Sequence, residues 1–117
     1  MARKIDPLRV AIVEALESGA TTRAALRDLV AHTISPGDAF RYGQYNRERI
    51  QRARPRPYTR EQVMVTGRNH LFAHTLNHLR RGGHVVVERS YPRDNDVITL
   101  VSIPPMIAFN RRSEANQ

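Results

Sequence analysis

The sequence predicts an α+β fold in which three main helices are followed by a C-terminal β-hairpin. Three observations carry this prediction. Apolar residues recur at helical spacing in three separate stretches. Gly82-Gly83 stops the last of them. Beyond that stop, two runs rich in Val and Ile, residues 84–89 and 97–103, alternate with period two on either side of the loop-forming link SYPRDND. A chain of 117 residues has the size of one domain. The expected division is a single domain over 1–109, carrying an insertion at about 34–58, and a flexible C-terminal tail over 110–117.

Residues 1–5 read as a short basic arm. Asp6-Pro7 then opens the first helix, with Asp as N-cap and Pro at the first helical position, where a missing N–H costs nothing. Leu8, Ile12 and Leu16 repeat at four-residue spacing, and Gly19 lies just past the end. Thr21 or Thr22 caps a second helix that ends near His32, with Leu26, Leu29, Val30 and Thr33 on one side. The insertion starts with Ser35-Pro36-Gly37-Asp38, read as a turn, and Phe40, Tyr42 and Tyr45 are its candidate anchors. A helical turn or two is expected over 39–51. Pro55 and Pro57 forbid a regular helix beyond, so an extended, arginine-studded loop is expected. Thr59, with Gln62 three residues on, forms a capping box for a third helix from Arg60 to Arg81. Val65, Phe72, Leu76 and Leu79 keep one phase across Gly67, which predicts a single helix bent there. Pro104-Pro105 ends the sheet, and Ile107 and Phe109 are candidates to pack back or to meet a second subunit.

The third helix has two distinct sides. With Phe72 at zero, Leu76 and Leu79 lie within roughly 40° of it at 100° per residue. His70, His74, Asn77, His78 and Arg81 gather opposite, between roughly 140° and 240°. Two short amphipathic helices, a polar-faced helix, a Gly-Gly stop and a charged hairpin, in this order, resemble a winged helix-turn-helix DNA-binding domain. The resemblance implies a tiny strand at 20–22 that joins the hairpin, and a hairpin tip acting as a wing. On a helix lying in a major groove, Asn77 suits adenine, while Arg68 and Arg81 suit guanine or phosphate. Asn69, His70, His74 and His78 complete the candidate face. Arg89 and Arg93 of the tip are placed to run along phosphates, although Asp94 and Asp96 argue against deep insertion there.

Charge points to the same class of partner. Nineteen Lys and Arg against eleven Asp and Glu give a net +8, with a pI near 11.2 and a mean hydropathy of −0.53. Between Arg41 and Arg60 there are seven arginines and one acid, Glu48, so most of the net charge sits in the insertion. Arg47, Arg49, Arg52, Arg54 and Arg56 are therefore candidates for phosphate contact or for entry into a minor groove. Lys4 is the sole lysine. Arginine forks phosphates and guanine edges bidentately, and a GC-rich coding sequence would produce the same bias. The expected partner is duplex DNA, bound by a small transcriptional regulator or a DNA-directed accessory factor. A winged helix whose arginine loop docks an acidic protein is the alternative of a different class, and a homodimer fits the small interface that one such domain offers. No broad aromatic face accompanies the basic residues, so a membrane partner is not expected. There is no apolar signal core at the N-terminus, and a cytoplasmic location is expected.

Two chemical readings stand beside binding. Arg68-Asn69, followed by four residues and His74, resembles the R-N-x4-H signature of HEPN-family ribonucleases. That resemblance implies metal-independent RNA cleavage by Arg68 and His74, with Asn69 in support. The family is an all-helical bundle, whereas this chain spends its last third on a hairpin, so no catalytic residue and no enzyme activity are expected. His70, His74 and His78 stand at i, i+4 and i+8, and neighbouring pairs could chelate one ion. All three cannot, because the outer two lie about 12 Å apart along the axis. No cysteine is present, which excludes disulfides and thiolate metal sites. No cofactor is expected.

Overall fold

The computed structural model of the protein describes residues 6–51 and 59–116, and of residues 46–51 it describes the backbone only. Among the described residues the chain forms five α-helices and a three-stranded antiparallel sheet: α1 (Pro7–Glu17), β1 (Thr21–Thr22), α2 (Arg23–Val30), α3 (Pro36–Gln51), α4 (Arg60–Arg81), β2 (Val85–Glu88), β3 (Val97–Leu100) and α5 (Pro105–Ala115). The sheet order is β1-β3-β2. An α+β chain with this small sheet is compatible with the order expected from the sequence, with two helices more than expected.

The first helix follows its cap signals. Asp6 accepts a hydrogen bond from the Leu8 N–H at 3.1 Å, and Leu8, Ile12, Val13 and Leu16 are buried. Thr22 serves two elements at once. It pairs with Val97 in the sheet, and its hydroxyl accepts from the Ala25 N–H to cap α2. Leu26 and Val30 of α2 are buried, whereas Leu29 is 57% exposed and lies outside the apolar side expected to contain it. A 3-10 turn, Ala31–Thr33, ends this segment.

The largest departure from expectation lies at 36–51. The stretch read as a turn followed by a helical turn or two is one helix of more than four turns, α3, while the extended loop expected around Pro55 and Pro57 lies outside the described residues. Ser35-Pro36-Gly37-Asp38 is a helix start. The Ser35 hydroxyl accepts from the Asp38 N–H at 3.1 Å, Pro36 occupies the first helical position, and Asp38 sits in the positive first turn. Pro104-Pro105 works the same way: it ends the sheet and also starts α5, so residues 105–115, expected in part as a tail, are helical.

Helices α3 and α4 form an antiparallel pair in backbone contact. A Cβ on Gly43 would run into the Val63 carbonyl, and one on Gly67 would run into the Ala39 carbonyl. Ala39, Gly43, Val63 and Gly67 thus let the two backbones approach more closely than larger side chains allow. The Arg60 guanidinium stacks over the Phe40 ring at 5.0 Å and closes the same interface.

Helix α4 is the hub. Phe72, Leu76 and Leu79 enter the core with Leu8, Ile12, Leu26 and Ile98. Val65, expected in the same stripe, is 46% exposed. In the first half of α4 the buried side is instead the one carrying Val63 and Gly67, at about 180° and 220° from Phe72, where α3 covers it. That same side, continued past Gly67, carries the histidines. The helix ends in a Schellman turn: Gly83 has φ +79°, its N–H donates to the Arg80 carbonyl, and the His84 N–H donates to the Leu79 carbonyl. β2 then pairs with β3 in the register Val85↔Leu100 to Glu88↔Val97, so that Val85 and Ile98 face the core and Val86 faces out. Ile107 of α5 packs into the core, and Arg111 of α5 pairs with Glu17 of α1. No helix of the described residues is long and apolar enough to cross a membrane.

Candidate nucleic-acid interface

The second half of α4 and the hairpin tip enclose a cleft of about 420 Å³. The helix contributes His70, Ala73, His74, Leu76, Asn77 and Arg80. Facing them are Val87 and Arg89 of the hairpin, Arg93 of its tip, and Arg23 at the start of α2 with Asp96. Five residues singled out from sequence therefore meet here: His70, His74, Asn77, Arg89 and Arg93. Arg80 and Arg23 are additions. Arg80 lies at about 80° from Phe72, next to the apolar stripe, so a view restricted to the opposite face misses it. Its guanidinium donates to the Asn77 Oδ1 at 2.8 Å and orients that amide. Arg23 carries no local signal; only the fold brings it beside residues seventy positions later.

Of the two acids of the tip, Asp96 turns inward and Asp94 stays exposed. Asp96 is 2% exposed, accepts from the Ser90 N–H at 2.8 Å and pairs with Arg23 at 3.3 Å. The Ser90 N–H, and then the Arg23 guanidinium, hold its carboxyl below the usual aspartate range. Asp94 takes both guanidinium nitrogens of Arg27, at 3.1 and 3.4 Å, and its carboxyl is likewise lowered by that hydrogen-bonded pairing. These pairs bolt the tip to α2. Both acids that the sequence sets against deep insertion are thus ion-paired within the protein, Asp96 with Arg23 and Asp94 with Arg27. Arg89, Tyr91 and Arg93 stay exposed on the tip, Tyr91 at 94%.

The remaining candidates lie elsewhere. Arg68 and Asn69 line a separate, smaller pocket of about 140 Å³ on the α2 side of α4, with Arg27, Asp28 and Val65. Arg68 and His74 therefore share no cleft. Arg81 is exposed at the end of α4, outside the lining of the large cleft. His78 is exposed and outside that lining too, with its Nε2 3.2 Å from the Nε2 of His74. Arg47 and Arg49 lie on α3, within the part described by backbone alone, and Arg52, Arg54 and Arg56 fall outside the described residues.

Chemically the cleft offers forked cationic donors and an oriented amide, together with imidazoles that can donate or accept. Such a set fits a phosphodiester and the base edge beside it. Comparison with protein-family models, with curated proteins and with solved structures finds no match to this chain.

Proposed function

We propose that this protein is a winged-helix DNA-binding protein that holds duplex DNA between α4 and the hairpin, without chemistry. The observation that carries the reading is the cleft itself. Arg80 and Asn77 of α4 face Arg89 and Arg93 across it, and the nearby acids are engaged by other arginines. The element order, with a short β1 paired to β3 and a hairpin directly behind α4, supports the winged-helix assignment. In this reading α4 enters the major groove with Asn77 and the histidines toward base edges, while the tip lies along the backbone. Arginines of the α3–α4 connection add phosphate contacts. The biological role is then occupancy of a site, as a small regulator or an accessory factor.

Fluorescence anisotropy with mixed-sequence duplex DNA and with single-stranded RNA, over a salt series, tests this. Duplex binding should weaken with a log–log slope of about −0.9 per phosphate neutralised. Failure to bind either nucleic acid near physiological salt would remove the proposal and leave an acidic protein as the partner to seek. RNA cleavage abolished in His74→Ala would replace it with the ribonuclease reading.

A further inference from the structure

We propose that His74 and His78 form a two-ligand site for a borderline divalent cation of the zinc, nickel or copper class. The spacing i, i+4 puts both rings on one side of α4, and the rings do converge: their Nε2 atoms are 3.2 Å apart, with centroids at 4.6 Å and planes at 79°. Metal–imidazole bonds of about 2.1 Å on two nitrogens so separated subtend about 100° at the ion, between the octahedral and tetrahedral angles. The neighbouring pair does not do this. His70 and His74 stack at 6.2 Å with planes 14° apart, and His70 lies beside the Tyr42 ring of α3, also at 6.2 Å. The His70 and His74 ring centroids stand 6.2 Å apart against 4.6 Å for His74 and His78, so the latter pair is the closer one. With Tyr42 of α3 beside His70, His74 and His78 are the pair best placed to chelate.

In the metal-free state one Nε2–H donates to the other ring's Nε2. On binding, both rings take the tautomer with the proton on Nδ1, each Nε2 donates its lone pair, and the shared hydrogen bond is replaced by the ion. No proton is released if both imidazoles start neutral. No group of three or more His, Asp or Glu among the described residues could hold an ion. The site is thus open, with water filling the other positions, which distinguishes it from a closed structural zinc site. Imidazole donors favour copper, nickel and zinc over magnesium and calcium.

The site shares His74 with the proposed DNA cleft, but its test contains no nucleic acid, so either idea can fail alone. Zinc, nickel and magnesium chlorides are titrated by calorimetry into full-length protein carrying no affinity tag. One zinc or nickel ion per chain is expected, with no magnesium heat. His78→Ala, whose side chain lies outside the cleft, should weaken zinc binding at least tenfold, while His70→Ala should change it less than twofold. Histidine-ring NMR provides a second readout that needs no variant. The Nε2 signals of His74 and His78 should move together at the lowest zinc dose, before those of His32, His70 and His84. Equal response of all five histidines, or unchanged affinity in His78→Ala, would overturn the site.

Discussion

Single residues set two of the sharpest expectations. Replacing a helical Gly by Ala ordinarily stabilises by about 0.5–1 kcal/mol, because the unfolded chain loses freedom. At Gly67 the sign should reverse. The added methyl would meet the Ala39 carbonyl, and a backbone cannot rotate out of the way as a side chain can. Gly67→Ala should cost about 1–3 kcal/mol in urea unfolding, whereas Gly37→Ala, with open space around its Cβ, should not destabilise comparably. Asp96 sets the acid limit of the tip. Its folded pKa is lowered, so its contribution is complete above the usual aspartate value and is lost as pH falls through the lower, folded one. Thermal melts should show a stability loss on acidification that is smaller in Asp96→Asn. That variant should also melt lower than the native protein at neutral pH, because the Ser90 N–H and Arg23 lose their anionic partner.

At the scale of elements, α4 changes its buried side along its length. Its second half presents Phe72, Leu76 and Leu79 to the core, and its first half presents Val63 and Gly67 to α3. Leu76→Ala should therefore cost about 2–5 kcal/mol, while Val65→Ala should stay within about 0.5 kcal/mol, both by denaturant unfolding. The apolar period counted from Phe72 makes these two positions equivalent; the packing of α3 makes them unlike. The hairpin is legible as strands from alternation alone, but the direction of its tip is not. Its acids read as a surface barrier in sequence and become ties to α2, a buried one at Asp96 and an exposed one at Asp94. What the tip leaves outward is Arg89, Tyr91 and Arg93. Arg93→Ala should weaken duplex binding across sequences alike and reduce the magnitude of the salt slope by about one contact, measured by anisotropy.

Across the whole molecule, a pattern of local grammar and one of long-range contact divide what could be read. Composition fixes a basic, cysteine-free chain with one acid among seven arginines between residues 41 and 60. Cap residues and periodicity give α1, α2, α4 and both long strands, because each of these is stabilised by an apolar side that hydropathy records. Helix α3 escapes that reading for a physical reason. Among its described side chains the buried ones are Ala39 and Gly43, so close backbone approach takes the place of a buried stripe of large apolar residues there. Three helices begin with Pro at the first helical position, at Pro7, Pro36 and Pro105. In sequence the latter two read as breaks, because Pro ends one element and permits another equally well. The cleft shows the same division. The polar residues of α4 and the arginines of the tip are visible in sequence as two separate sets, since each follows from the period of its own element. That they face one another, that Arg23 and Arg80 join them, and that His74 brings its ring closer to His78 than to His70 depend on tertiary packing, which no local period encodes.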